Sequence, residues 1–198
     1  MKKLLFMAAV LLSSVSAFAQ HEVGSINIQP KVGLNIANLT DVNDADVRCG
    51  FVAGAELEYQ ATDLFSVTAG ALYSQQGCKY SKEGVDGTCK YDYINIPILA
   101  NVYVAKGFAV KLGIQPGFNV NGKVKGELEG YNVEKDVDAK SFDFSIPVGI
   151  SYEYKNVQLD ARYNWGLTKV ADSDVAKLVL DDSKNSVFQI TLGYKFDL

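Results

Sequence analysis

The chain has 198 residues and a formal net charge of −4. One domain is the natural expectation for that length. An acidic chain is a poor partner for nucleic acid. Glycine is plentiful (17) against four prolines, and the tyrosines (11) and phenylalanines (10) are generous, a mix that suits strands and tight turns.

The first 19 residues read as a leader. Met1-Lys2-Lys3 is a basic n-region, Leu4 to Leu12 an apolar h-region, and Ala17-Phe18-Ala19 an A-x-A cleavage site. The predicted organisation is a signal peptide over 1–19 and one domain over 20–198. Gln20 rather than a cysteine stands directly after the cut, and no later apolar run is long enough for a transmembrane helix. Without Lys2 and Lys3 the formal charge becomes −6, from 17 basic and 23 acidic residues.

Period-2 alternation then dominates, and eight strands follow in order. They are "INIQPKVGLNI" (26–36), "FVAGAELEY" (51–59), "FSVTAGALY" (65–73) and "YINIPILANVYV" (93–104), then "FAVKLGIQPGF" (108–118), "FDFSIPVGISYEY" (142–154), "LDARYNWGL" (159–167) and "FQITLGYKFDL" (188–198). Pro30, Pro97, Pro116 and Pro147 fall inside these runs. Proline normally marks an edge or a bulge, yet the alternation continues through each of them.

The connections alternate between short and long. Short turns at about "QATD", "AKG" and "KN" join strands 2–3, 4–5 and 6–7, whereas the other links are polar segments of roughly 13–22 residues. In an up-and-down chain all short turns then lie at one end, as in transmembrane barrels. Asn121-Gly122 is a two-residue hairpin cue and predicts the start of a ribbon above the fifth strand.

Alternation alone does not say which face looks inward. A lipocalin-like soluble barrel would place the apolar face inside, a membrane barrel outside. Aromatic placement favours the membrane. On the apolar face Tyr59, Phe65, Phe108, Tyr152, Tyr154, Tyr194 and Phe196 gather at the short-turn end. Phe51, Tyr73, Phe118, Phe142, Trp165 and Phe188 gather at the other. Two belts around an aliphatic band match two membrane interfaces. The fold expected is an all-β, eight-stranded antiparallel up-and-down transmembrane barrel with a filled polar interior.

Charges on the opposite face must then line the interior, because a basic residue in mid-membrane costs about 2–4 kcal/mol. Glu56, Glu58, Lys111, Glu153, Asp160, Arg162 and Lys195 form a candidate interior charge network in the half nearer the short turns. A turn at Lys155-Asn156 would set Gly149 opposite Arg162 and leave room for its guanidinium. Structural glue is one reading of this network; a gated polar pathway is the other.

These features resemble the outer-membrane β-barrel domain family, often labelled "porin family": small eight-stranded barrels of Gram-negative outer membranes. The leader, "YDYINIPIL" (91–99), "LDARYNWGL" and the final "ITLGYKFDL" carry the resemblance across the mature chain. It implies contact with outer-membrane lipid and with the assembly machinery. Thr191, Gly193, Phe196 and Leu198 match the C-terminal signal read by that machinery, with Leu in place of the usual Phe. It implies no wide pore, since aqueous lumens belong to barrels of about 16–18 strands.

Catalytic patterns are missing from the sequence. There is no Walker motif, GxSxG or HExxH, and the single histidine, His21, lies beside the cleavage site. "DVNDAD" (41–46) starts like a calcium loop but has Asp46 at the glycine position and Val52 at the final glutamate position. No enzyme activity, cofactor or metal is expected. Cys78 and Cys89 flank one polar stretch and form a candidate disulfide in an oxidising compartment, with Cys49 left over. The functional expectation is a non-enzymatic barrel acting through its long loops on an extracellular partner. The alternatives are a narrow gated passage for small solutes and a soluble exported ligand-binding barrel.

Overall fold

The computed structural model describes residues 21–40, 45–82, 85–128, 131–136, 140–169 and 183–198. The leader and the "DVNDAD" start, with Asp41, Asn43 and Asp44, lie outside those residues, as do Asp172, Asp174, Asp181 and Asp182 of the last connection. The described residues hold eleven strands: β1 (Ile26–Leu39), β2 (Ala45–Thr62), β3 (Phe65–Lys82), β4 (Val85–Asn95), β5 (Ile98–Ala105), β6 (Phe108–Leu128), β7 (Tyr131–Asp136), β8 (Phe142–Tyr154), β9 (Val157–Lys169), β10 (Lys184–Tyr194) and β11 (Phe196–Asp197).

They make eight staves of one closed antiparallel barrel. β4 and β5 share a stave, as do β10 and β11, and β7 is an appended strand paired only with β6. Closure comes from β1, which pairs with β2 on one side and with β10 and β11 on the other. Following the pairing from Asp143 through Gly117, Asn95, Leu72, Gly54, Lys31, Gly193 and Gln158 returns to β8 at Glu153. That is ten residues beyond the start, a shear of ten. With eight staves it tilts the strands by about 40°.

Alternation does what the sequence predicts. Lys31, Glu56, Lys111, Glu153, Asp160 and Arg162 point inward and are buried, while Val32, Leu57, Leu112, Tyr152, Leu159 and Tyr163 point outward and are exposed. Trp165, at 58% exposure, and Phe51, Phe118 and Phe142 form the upper aromatic belt; Tyr59, Tyr152, Tyr154, Tyr194 and Phe196 form the lower one. An apolar outside around a charged inside is the reverse of a water-soluble barrel. A surface this apolar is stable only against lipid. It excludes the soluble ligand-binding reading.

Of the four prolines, Pro97 interrupts its strand. Pro97 lies opposite Gln115, and Ile96 opposite Pro116, in the gap between two segments of unchanged register (Asn95 with Gly117, Ile98 with Ile114). Neither proline has an N–H to give, so the ladder skips one step. Pro97 and Pro116 still accept from the Gly70 and Ile96 amides through their carbonyls.

Two expectations need correction. The long polar connections are in good part strand: β3 and β4 pair as far as Lys82 and Val85, and β6 extends to Leu128. Asn121-Gly122 is not a turn. β4 pairs through it, Asp92 opposite Asn121 and Tyr91 opposite Gly122, with a bulge at Val120. The ribbon itself exists but folds back farther on, where Leu128 pairs with Tyr131. Pairing with a neighbouring strand overrode a local turn preference.

Candidate functional site: the interior charge plug

The charged residues sit on strands whose inward positions are fixed by the two-residue period, and they meet because the tilted staves carry them to similar depth. Arg162, 1% exposed, is the centre. Its Nε and Nη2 donate to Asp160 at 2.8 Å each, and its Nη1 and Nη2 donate to Glu56 at 2.9 and 3.3 Å. Lys31 Nζ donates to Glu56 at 2.7 Å. Lys111 Nζ donates to Asp160 at 2.7 Å and to the Gln158 amide oxygen at 3.0 Å.

A second group lies toward the short turns. Lys195 Nζ reaches both Glu58 and Glu153 at 2.7 Å. Glu58 also accepts from the Ser66 hydroxyl at 2.6 Å and from the Tyr103 hydroxyl. His21 closes the end: Nε2 is 2.9 Å from Glu153 and Nδ1 is 2.9 Å from Asp197.

All seven predicted residues therefore come together, in two adjoining groups. That set held three cations against four anions. Lys31 is the missing partner, and with it Lys31, Lys111, Arg162 and Lys195 face Glu56, Glu58, Glu153 and Asp160. The Arg162 group has one cation in excess and the Lys195 group one anion, so each offsets the other. Such balance is needed where no water screens a charge.

Gly149 pairs with Arg162 as predicted from the turn. A Cβ on Gly149 would lie 2.7 Å from the Arg162 Cβ, so glycine leaves the arginine its space. Tyr103 was missed because it sits between the apolar positions of its strand, and an inward tyrosine has no distinctive sequence mark. His21 was missed because it precedes the first strand; the signal is its place just before β1, whose first residues pair with β11.

His21 is pulled upward from its usual pKa by its hydrogen bond to Glu153, against an opposing effect of burial. A raised folded-state value means that the protonated ring is the tighter-held form. Its stabilisation is complete below the unfolded value of 6.5 and is lost as pH rises through the elevated one. The stability difference between wild type and His21→Ala is therefore expected to be largest at pH 6 and to shrink toward pH 9. Urea unfolding across that range measures it, and a pH-independent difference contradicts it.

Above the plug the interior is polar but uncharged at its centre. Asn35 donates to Ser74 at 2.9 Å, Gln115 to Ser145 at 3.2 Å and Asn164 to Gln189 at 3.5 Å. Buried polar atoms without a protein partner recur here, among them Asn35 Oδ1, Asn95 Nδ2, Gln115 Oε1 and Gln189 Nε2. Leu39, Cys78, Tyr91 and Tyr93 form an apolar cap over this region, and the Arg48 guanidinium donates to the Gln76 carbonyl beside it. Cys78 and Cys89 stand directly opposite each other across β3 and β4, both as free thiols, and Cys49 is exposed. No group of histidine, cysteine or acidic residues suited to a metal occurs among the described residues.

A profile of the family described as "Outer membrane protein beta-barrel domain" matches residues 18–172. The chain belongs to that family. It is an outer-membrane β-barrel, and the predicted resemblance and location hold. Among solved structures it is similar to Ail, the attachment invasion locus protein of Yersinia pestis, at 17% identity and a TM-score of 0.52, covering 88% of this chain and all of that one. A structure of Ail with the heparin analogue sucrose octasulfate gives 0.54 at the same identity and coverage. OprG of Pseudomonas aeruginosa matches at 14% identity and 0.45, over 89% of this chain and 97% of that one. At these identities the likeness to Ail is one of fold. No curated protein matches the sequence.

Proposed function

We propose that this outer-membrane barrel is non-enzymatic and closed, and that it acts through its extracellular β-ribbons on a partner outside the cell. The observation that carries the reading is the double carboxylate clamp on Arg162, backed by Lys31 and Lys111, inside a barrel whose eight staves leave an interior just wide enough for side chains to fill. Among the described residues, the ribbons formed by β3 with β4 and by β6 with β7 project beyond the upper aromatic belt. The test is conductance in a planar bilayer together with cell-surface proteolysis. Ribbon cleavage on intact cells without sustained channel openings supports the reading; steady openings overturn it.

The gated passage is favoured by one specific observation, the unpartnered amide atoms above the plug. Such atoms ordinarily bind internal water. Water held there would leave the charge clamp below and the apolar cap of Leu39, Cys78, Tyr91 and Tyr93 above as the barriers. In this reading Arg162→Gln produces openings that the wild type lacks.

The export leader over 1–19 belongs to the same proposal, as does a Cys78–Cys89 disulfide. Directly opposed residues on antiparallel strands stand about 4.5–5.5 Å apart at Cα, within the roughly 4.4–6.8 Å range that a disulfide accepts. The two thiols would lose two electrons and two protons to a thiol–disulfide oxidant of the export compartment, forming the S–S bond. Non-reducing peptide mapping of protein from the membrane is expected to recover the linked pair with Cys49 alkylated. Both thiols alkylated would refute the linkage.

A further inference from the structure

A cavity of about 700 Å³ opens at the short-turn rim, where it borders the Lys195 group of the plug through His21 and Glu153. It is lined by His21, Lys106, Tyr152, Glu153, Tyr154, Lys155, Asn156 and Asp197. In outer-membrane barrels the short turns are periplasmic. The cavity therefore lies at the level of the periplasmic leaflet's headgroups, with the exposed Tyr152 and Tyr154 rings on its lipid side.

Its charges are unevenly satisfied. Glu153 is already held by Lys195 and His21, and Asp197 by His21. Lys106 and Lys155 have no acidic partner among the described residues. They stand on neighbouring turns, because β6 and β8 are adjacent and Phe108 pairs with Tyr152. Lys155 also has a left-handed backbone, φ 56°, which sets its stem at the turn tip, and its ammonium lies 5.7 Å from the Tyr154 ring centroid. Two cations without anions thus face one polar cavity beside a lipid-facing aromatic pair.

We propose that this cavity binds the phosphate of a phospholipid headgroup from the periplasmic leaflet, with Lys106 and Lys155 taking the phosphate oxygens and Tyr152 and Tyr154 flanking the upper acyl chain. Lysine serves phosphate as a mobile point charge, and its apolar stem tolerates the interface. Asn156 contributes polarity but gives its side-chain amide to the Lys195 carbonyl at 3.0 Å, so it is a wall rather than a ligand.

The test is native mass spectrometry of the full mature protein in detergent, titrated separately with phosphatidylglycerol, phosphatidylethanolamine and inorganic phosphate. One phospholipid per barrel is expected to bind saturably. The double variant Lys106→Gln, Lys155→Gln should weaken it by about tenfold or more, because both phosphate-facing cations are lost. Lys106→Arg with Lys155→Arg should restore binding. Heat-modifiable gel migration verifies folding of each variant, and the arginine pair reports on the site should the glutamine pair not fold. Equal lipid retention in wild type and glutamine variant overturns the site. Inorganic phosphate competing as strongly as the lipid overturns the assignment to a lipid headgroup.

Discussion

Arg162→Ala is expected to lose about 3–5 kcal/mol of stability, the cost of leaving buried charges without their partner. Four hydrogen bonds to Glu56 and Asp160 disappear together. Lys31 and Lys111 remain, but each reaches one carboxylate closely and neither spans both as the guanidinium fork does. Arg162→Lys should fall between wild type and alanine, since an ammonium restores the charge without the fork. Urea unfolding in lipid vesicles, read by heat-modifiable migration, measures the series. An unchanged midpoint for the alanine variant would show that the clamp contributes nothing.

The second large effect lies on the other face. Leu112 is 56% exposed, between Phe108 and Phe118 of the two belts on β6. Leu112→Arg should cost about 2–4 kcal/mol, because the charge enters mid-membrane. Val104→Arg, next to the short turn, should cost about 0–1 kcal/mol by the same depth dependence. Against water both substitutions would be mild, since an exposed leucine loses little on becoming arginine. The contrast between the two sites therefore measures the lipid directly. Equal small effects at both would mean that this face does not meet a membrane.

Much of this barrel is legible before any coordinates. Period-2 alternation assigns the faces of Leu159, Asp160, Ala161 and Arg162 with no knowledge of neighbours. The Lys155-Asn156 turn fixes the register of β8 on β9, so the pairing of Gly149 with Arg162 follows by counting. What counting cannot supply is contact across the barrel. Lys31 meets Glu56 across the β1–β2 pair, but it approaches Asp160 only because closure at a shear of ten sets β1 beside β10, next to β9. His21 is similar: its neighbours Glu153 and Asp197 are distant in sequence and become adjacent only when the ends of the sheet join. Asn121-Gly122 shows the reverse case, where a strong local preference yielded to the ladder with β4.

The length of β3 sets a scale for the cell surface. Tyr73 belongs to the upper aromatic belt, and the strand runs nine residues farther to Lys82. At about 3.3 Å per residue that is about 30 Å of strand, or roughly 20 Å of height at the barrel's tilt. The ribbon tips thus stand clear of the bilayer by more than half its hydrocarbon thickness. A molecule approaching from outside would touch the tips before it touched lipid, and antibodies or proteases could distinguish tip from base by reach alone.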